Sequence, residues 1–134
     1  MFCGGSDTKS EKYVKKTVII GATTNPGRYA YLAARMLKEY NHEIVPVGIK
    51  DGAVFGKEIL DIFARPSVEN VDTVTLYIGP QRQPEHMDYI LGLNPKRIIF
   101  NPGTENDEFI RAAREKGIEV LEACTLVMLR SHQY

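Results

Sequence analysis

The stretch that most constrains this chain runs from Thr17 to Tyr40. Val18, Ile19 and Ile20 are a short β-branched apolar run, the pattern of a parallel strand covered on both faces. Gly21 then permits a sharp turn, and Ala22 to Arg28 form a loop. Thr24 or Asn25 is expected to cap a following helix, with Pro26 in its first turn, where no amide donor is needed. Beyond it Tyr29, Leu32, Ala33, Met36, Leu37 and Tyr40 recur at helical spacing and predict one apolar stripe. A helix whose unpaired amides meet a loop at the end of a parallel strand suits an anion. A phosphate-bearing ligand is therefore the first expectation.

The same alternation continues down the chain. His42 to Gly48 reads as a second strand, in which Pro46 should sit near an end or an edge because it lacks a donor. Residues 49–70 hold Gly52, Gly56, Pro66 and a brief apolar patch, and read as a loop with one or two short helical turns. Val71 to Ile78 is the next strand, ended by Gly79-Pro80, and Gln83 to Leu93 a helix. Arg97 to Phe100 is a fourth strand and Asn106 to Lys116 a helix stopped by Gly117. Ile118 to Leu121 is a fifth strand and Thr125 to Arg130 a last short helix. This order predicts an α/β fold: a doubly wound parallel sheet of about five strands with helices on both faces, three layers in all. Right-handed crossovers bring four loops to its carboxyl edge, Gly21 to Arg28, Gly48 to Lys50, Gly79 to Arg82 and Asn101 to Glu105.

Composition narrows the partners. Seventeen basic and seventeen acidic residues cancel, so no global field favours nucleic acid or an anionic membrane. Cys3 and Cys124 make no disulfide framework or metal motif, and no apolar run approaches the roughly 20 residues of a membrane span. The chain is expected to be cytoplasmic, with residues 15–134 as one domain and residues 1–14 as a flexible, polar tail.

The loops also separate ligand classes. A dinucleotide site prefers G-x-G-x-x-G in the first loop and an acidic residue ending the second strand. Here Ala22 and Thr23 follow Gly21, the next glycine is Gly27, and the second strand ends Val47-Gly48-Ile49-Lys50, with Asp51 further along. NAD is disfavoured, and Lys50 favours a ligand whose ribose carries a phosphate, as in coenzyme A or NADP. In order, Gly21-Ala22-Thr23-Thr24-Asn25-Pro26-Gly27-Arg28, Val45-Pro46-Val47, Tyr77-Ile78-Gly79-Pro80 and Asn101-Pro102-Gly103-Thr104 resemble the small CoA-binding domain proteins. Their fold is similar to the N-terminal domain of the succinyl-CoA synthetase α subunit. The resemblance spans Lys15 to Leu129 and implies a Rossmann-like sheet that binds coenzyme A or an acyl-CoA.

Carried over by position, it implies that Gly21, Ala22, Thr23 and Thr24 line the diphosphate, with Asn25 and Arg28 at the helix entrance and Val47 among the contacts. Lys50 would approach the phosphorylated ribose, and Tyr77, Ile78, Gly79 and Pro80 the adenine or the start of the pantetheine arm. Pro102 and Gly103 would border the thiol end. Two departures stand out: Tyr29 replaces a common small hydroxyl residue and would crowd the phosphate, and Asn101 to Glu105 replaces a Gln-containing loop, leaving the acyl group open.

Catalytic residues are not expected. The synthetases transfer phosphate through a histidine of a second domain, for which this chain has no room. His42, His86 and His132 read as exposed or packing residues, and Glu105, Asp107 and Glu108 as partners of a helix dipole. Cys124 is a candidate reactive thiol at the start of the last helix, or else a small buried apolar residue. The sequence thus predicts a CoA-binding protein without a complete catalytic apparatus and without metal. The alternatives are an NADP-binding oxidoreductase-like domain, or an interaction module whose cleft is filled, with Tyr29 as the residue to watch.

Overall fold

The computed structural model describes residues 14–134, so the expected tail lies outside the described residues except for its last position. The first strand is β1 (Thr17–Ile20), followed by α1 (Tyr29–Glu39) and β2 (Ile44–Gly48). Next come β3 (Ala53–Val54), β4 (Lys57–Glu58) and β5 (Leu60–Asp61), a 3₁₀ turn over Ile62–Ala64, and β6 (Thr73–Leu76). A second 3₁₀ turn, Pro84–His86, runs into α2 (Met87–Gly92). The chain closes with β7 (Arg97–Phe100), α3 (Asp107–Glu115), β8 (Glu119–Glu122) and α4 (Thr125–Arg130). β3 and β4 form a small antiparallel hairpin. The other six strands make one parallel sheet in the order β5-β2-β1-β6-β7-β8.

Side-chain alternation explains the three layers. Val18, Ile20, Val74, Leu76, Ile98 and Phe100 face a core closed by Ile90 of α2 and Phe109 and Ile110 of α3. Phe100 and Phe109 meet edge to face, with ring centroids 5.2 Å apart. Ile19 points the other way, toward Ala33 and Leu37 of α1 and Leu126 and Leu129 of α4. The expected α/β, Rossmann-like sheet with helices on both faces is therefore the observed architecture. No helix among the described residues is long and apolar enough to cross a membrane.

Three local expectations need correction. Residues 49–70 hold a hairpin and a sixth parallel strand as well as a helical turn. Strands of two residues are too short for a period-2 pattern to register. Neither Thr24 nor Asn25 caps α1: the Asn25 Oδ1 accepts the Gly27 N–H at 2.9 Å, its carbonyl accepts the Arg28 N–H at 3.1 Å, and the helix starts only at Tyr29. Pro26 lies in that turn, ahead of the helix. Tyr29 leaves the apolar stripe and is 71% exposed. Pro46 meets its expectation through the second alternative: it lies mid-strand, paired in register with Ile19, but on a locally open edge. The Val47 carbonyl faces β1, so the Pro46 nitrogen faces the other side, where β5 pairs only from Val47 onward.

Candidate functional site

The site arises where the chain reverses direction across the sheet. From β1 the chain adds β2 and β5 on one side, then crosses to β6 on the other, so β1 and β6 flank a topological switch point. Open α/β sheets bind ligands at such points, beyond the carboxyl ends of the strands. A cleft of about 400 Å³ lies there. Gly21, Thr23, Gly27, Arg28, Tyr29 and Ala30 line one side, and Tyr77, Gly79, Pro102, Gly103 and Thr104 the other. A separate hollow lined by Asp107, Ile110, Arg111, Arg114 and Glu115 lies against α3 alone, away from these loops.

Two glycines shape the first loop. Gly21 has φ +98°, a left-handed conformation, and a Cβ there would meet Tyr77 and Ile78 Cγ2 at 3.2 Å. Gly48 allows β2 to approach the loop: a Cβ would lie 2.5 Å from the Ala22 carbonyl oxygen. The Gly21 and Ala22 N–H groups both donate to the Val47 carbonyl, at 2.9 and 3.0 Å. The loop is thereby held open above the end of β1.

The same side is prepared for an anion. Arg28 is the N-cap of α1 and makes no side-chain cap bond, and the first turn holds no acidic residue. The first N–H groups of a helix lack intrahelical partners, and here two of the residues carrying them, Tyr29 and Ala30, line the cleft. Aligned peptide dipoles make this end electropositive, and the exposed Arg28 adds a full charge beside it. The Thr23 Oγ1 accepts the Asn25 N–H at 3.1 Å, which leaves its own proton free to donate.

The opposite side is built on buried amides. Gln83, fully buried, donates from Nε2 to the Ile78 carbonyl at 2.9 Å and to the Thr104 carbonyl at 2.7 Å. Asn101 donates from Nδ2 to Thr75 Oγ1 at 2.7 Å and to the Leu76 carbonyl at 2.9 Å, while its Oδ1 accepts the Thr125 N–H at 2.9 Å. Its carbonyl also accepts the Thr104 N–H and hydroxyl. One side chain thus ties together β6, the end of β7 and the start of α4. Tyr77 lines the cleft, but its hydroxyl is buried near Thr75 and Thr125 without a hydrogen-bond partner. Burial pushes its pKa well above the ordinary tyrosine value, and the two threonine hydroxyls offset this only in part.

Of the residues singled out in the sequence, Gly21, Thr23, Arg28, Tyr77, Gly79, Pro102 and Gly103 line the cleft. The others stand around it. Ala22 is buried in the loop just past β1, and Val47 is buried in β2, where its carbonyl anchors that loop. Thr24 leans on Gly52 ahead of the hairpin, Asn25 is at the exposed tip, and Ile78 and Pro80 are half-buried beside the cleft. Lys50 is exposed beyond β2, which lies across β1 from the cleft. Cys124 is half-buried at the N-cap of α4, packed on the core rather than lining the cleft.

The remaining polar candidates have structural partners. His86 is buried and stacks edge-on with Phe63 at 5.3 Å, and the His42 Nδ1 accepts the Lys15 N–H at 2.9 Å. Glu105 accepts the Gly103 N–H at 2.9 Å, and Asp107 and Glu108 form the first turn of α3 beneath an Asn106 cap. No group of His, Cys, Asp and Glu among the described residues is arranged to hold a metal ion. Sequence reasoning missed Gly27, Ala30 and Thr104 as lining residues and Gln83 altogether. The Gln83 partners lie 5 and 21 residues away, so no local signal marks it.

These features define an open α/β nucleotide-type fold with its cleft at the switch point. The family model for the CoA binding domain matches residues 15–130, and the chain belongs to that family. A crystal structure of an uncharacterized protein is 55% identical, with a TM-score of 0.87, and the match covers 90% of this chain and 98% of that one. A Thermus thermophilus protein is 24% identical over the full length of both chains, with a TM-score of 0.80. A hypothetical protein from Pyrococcus horikoshii OT3 is also 24% identical, with a TM-score of 0.76, covering 98% of this chain and 91% of that one. At the latter identities the likeness is one of fold. No curated protein matches the chain.

Proposed function

We propose that this protein binds coenzyme A or an acyl-CoA through the loops at the carboxyl edge and serves as a binding protein rather than as a complete ligase. The observation that carries this reading is the uncapped N-terminus of α1 opening, with Arg28 beside it, onto a cleft at the switch point. A diphosphate is the ligand group best matched to free helix amides, a glycine turn and a cation. Gly21, Ala22, Thr23 and Thr24 then surround the diphosphate, with Asn25 and Arg28 at the helix entrance and Val47 below. Lys50 meets the ribose phosphate from the β2 side. Tyr77, Ile78, Gly79 and Pro80 flank the adenine or the start of the pantetheine arm, and Pro102 and Gly103 border the thiol end. Two observations favour this reading over an interaction module with a filled cleft: the cleft is open, and Tyr29 extends into solvent.

Isothermal titration with CoA, acetyl-CoA, NADP and NAD, on protein shown by mass spectrometry to carry no ligand, tests the proposal. Saturable binding of CoA or acetyl-CoA without competition from either dinucleotide is the expected result. Silence of a folded sample toward all four overturns it.

A further inference from the structure

We infer that Gln83 is a positioning residue for the ligand: its amide clamps the two segments that form the side of the cleft facing the β1 loop. This rests on the CoA reading above and extends it to a residue that does not touch the cleft. Tyr77 and Gly79 flank Ile78, and Pro102 and Gly103 precede Thr104. Two hydrogen bonds from one nitrogen, to Ile78 and Thr104, therefore hold the loop after β6 against the loop after β7. Both N–H groups of the amide are used, which fixes its orientation. The Oε1 is buried without a donor. An apolar side chain of similar size would avoid that cost but leave two carbonyls unpaired, so the amide is explained by its nitrogen. Asn101 holds Thr104 from the other side, through its own carbonyl. Loss of Gln83 thus loosens the seam between the loops while leaving the β1 loop, the start of α1 and Lys50 in place.

The consequence is selective. On this inference the clamped segments border the pantetheine arm rather than the adenine, whereas the phosphates depend on the β1 loop and Lys50. Gln83→Met keeps the volume and removes both donors. Its affinity for CoA should fall roughly tenfold, while adenosine 3′,5′-bisphosphate binds within about twofold of wild type. Gln83→Glu places a carboxylate against two carbonyl oxygens, and its protonated form restores one donor. Its CoA affinity relative to wild type should therefore rise as pH falls from 7.5 to 5.5, which a space-filling role does not predict. Hydrogen exchange on ligand-free Gln83→Met should quicken in residues 77–82 and 102–105 and stay unchanged in residues 21–28.

Wild-type affinity for CoA in Gln83→Met, or equal loss of both ligands, overturns the inference. So does unchanged exchange in the two loops. If wild-type protein itself ignores CoA, the reading of the site has failed instead, and the exchange experiment decides the clamp by itself.

Discussion

The two edges of this one parallel sheet are finished in opposite ways. At the amino edge Arg97, only 7% exposed, donates from Nε to Thr73 Oγ1 at 2.7 Å and lies 4.4 Å from the centre of the Tyr134 ring. The Tyr134 hydroxyl is hydrogen-bonded to Thr17, Lys15 donates to the Tyr134 carbonyl, and His42 packs 4.9 Å from the same ring. Cations, ring and hydroxyls saturate one another there. At the carboxyl edge the helix start is uncapped and a cleft separates the loops. One edge is closed by its own side chains, and the other is open where the proposed ligand would lie.

Variants should separate these roles, beginning with the largest effect. Arg97→Ala removes a buried hydrogen bond, a cation–π contact and their packing, and should cost about 3 kcal/mol of stability in urea unfolding. CoA affinity of the folded fraction should not change. Gly27→Val tests the other edge cleanly. Gly27 lines the cleft, has no positive φ, and a Cβ there would touch only Asn25 Oδ1 at 3.4 Å. The variant should keep its melting temperature and bind CoA roughly tenfold more weakly by titration calorimetry. Loss of stability without loss of affinity would reverse the assignment.

Two smaller effects sharpen the contrast. Lys50→Ala should weaken CoA roughly fivefold and dephospho-CoA hardly at all, since an exposed charge–phosphate pair is worth about 1 kcal/mol. Equal loss for both ligands would show that Lys50 does not read the ribose phosphate. At the amino edge, burial and then Lys15 and Arg97 hold the pKa of His42 below 6.5, against a weaker opposing pull from Asp72. The folded state therefore takes up a proton less readily than the unfolded one. This contribution is complete above pH 6.5 and is lost as pH falls through the lowered folded value. His42→Gln should flatten that decline in a pH series of unfolding curves without altering CoA binding.

How much was legible followed from how local each cause is. The four-residue strands and the helix over Thr125–Arg130 were readable because β-branched runs and helical spacing act within a few residues. The start of α1 was not. An asparagine whose oxygen accepts an N–H two residues on serves equally as a helix cap and as a free-standing turn, and only the surroundings decide. Tyr29 left the apolar stripe for a related reason: a helical side chain covers the turn before its own, and the first residue has none. Four loops were correctly expected at one edge, yet the cleft lies between the β1 loop and those of β6 and β7, with Lys50 across β1. Spacing along the chain does not carry strand order.

The central claim is that the ligand occupies the open edge. A titration of ¹⁵N-labelled protein with CoA, followed by amide chemical shifts, tests it most directly. The account predicts saturable shifts at Gly21, Thr23, Gly27, Ala30, Gly79 and Gly103, with Lys15, Thr73, Arg97 and Tyr134 unmoved. Shifts concentrated at the Arg97 and Tyr134 edge, or none at the glycine loops at saturating CoA, would contradict it.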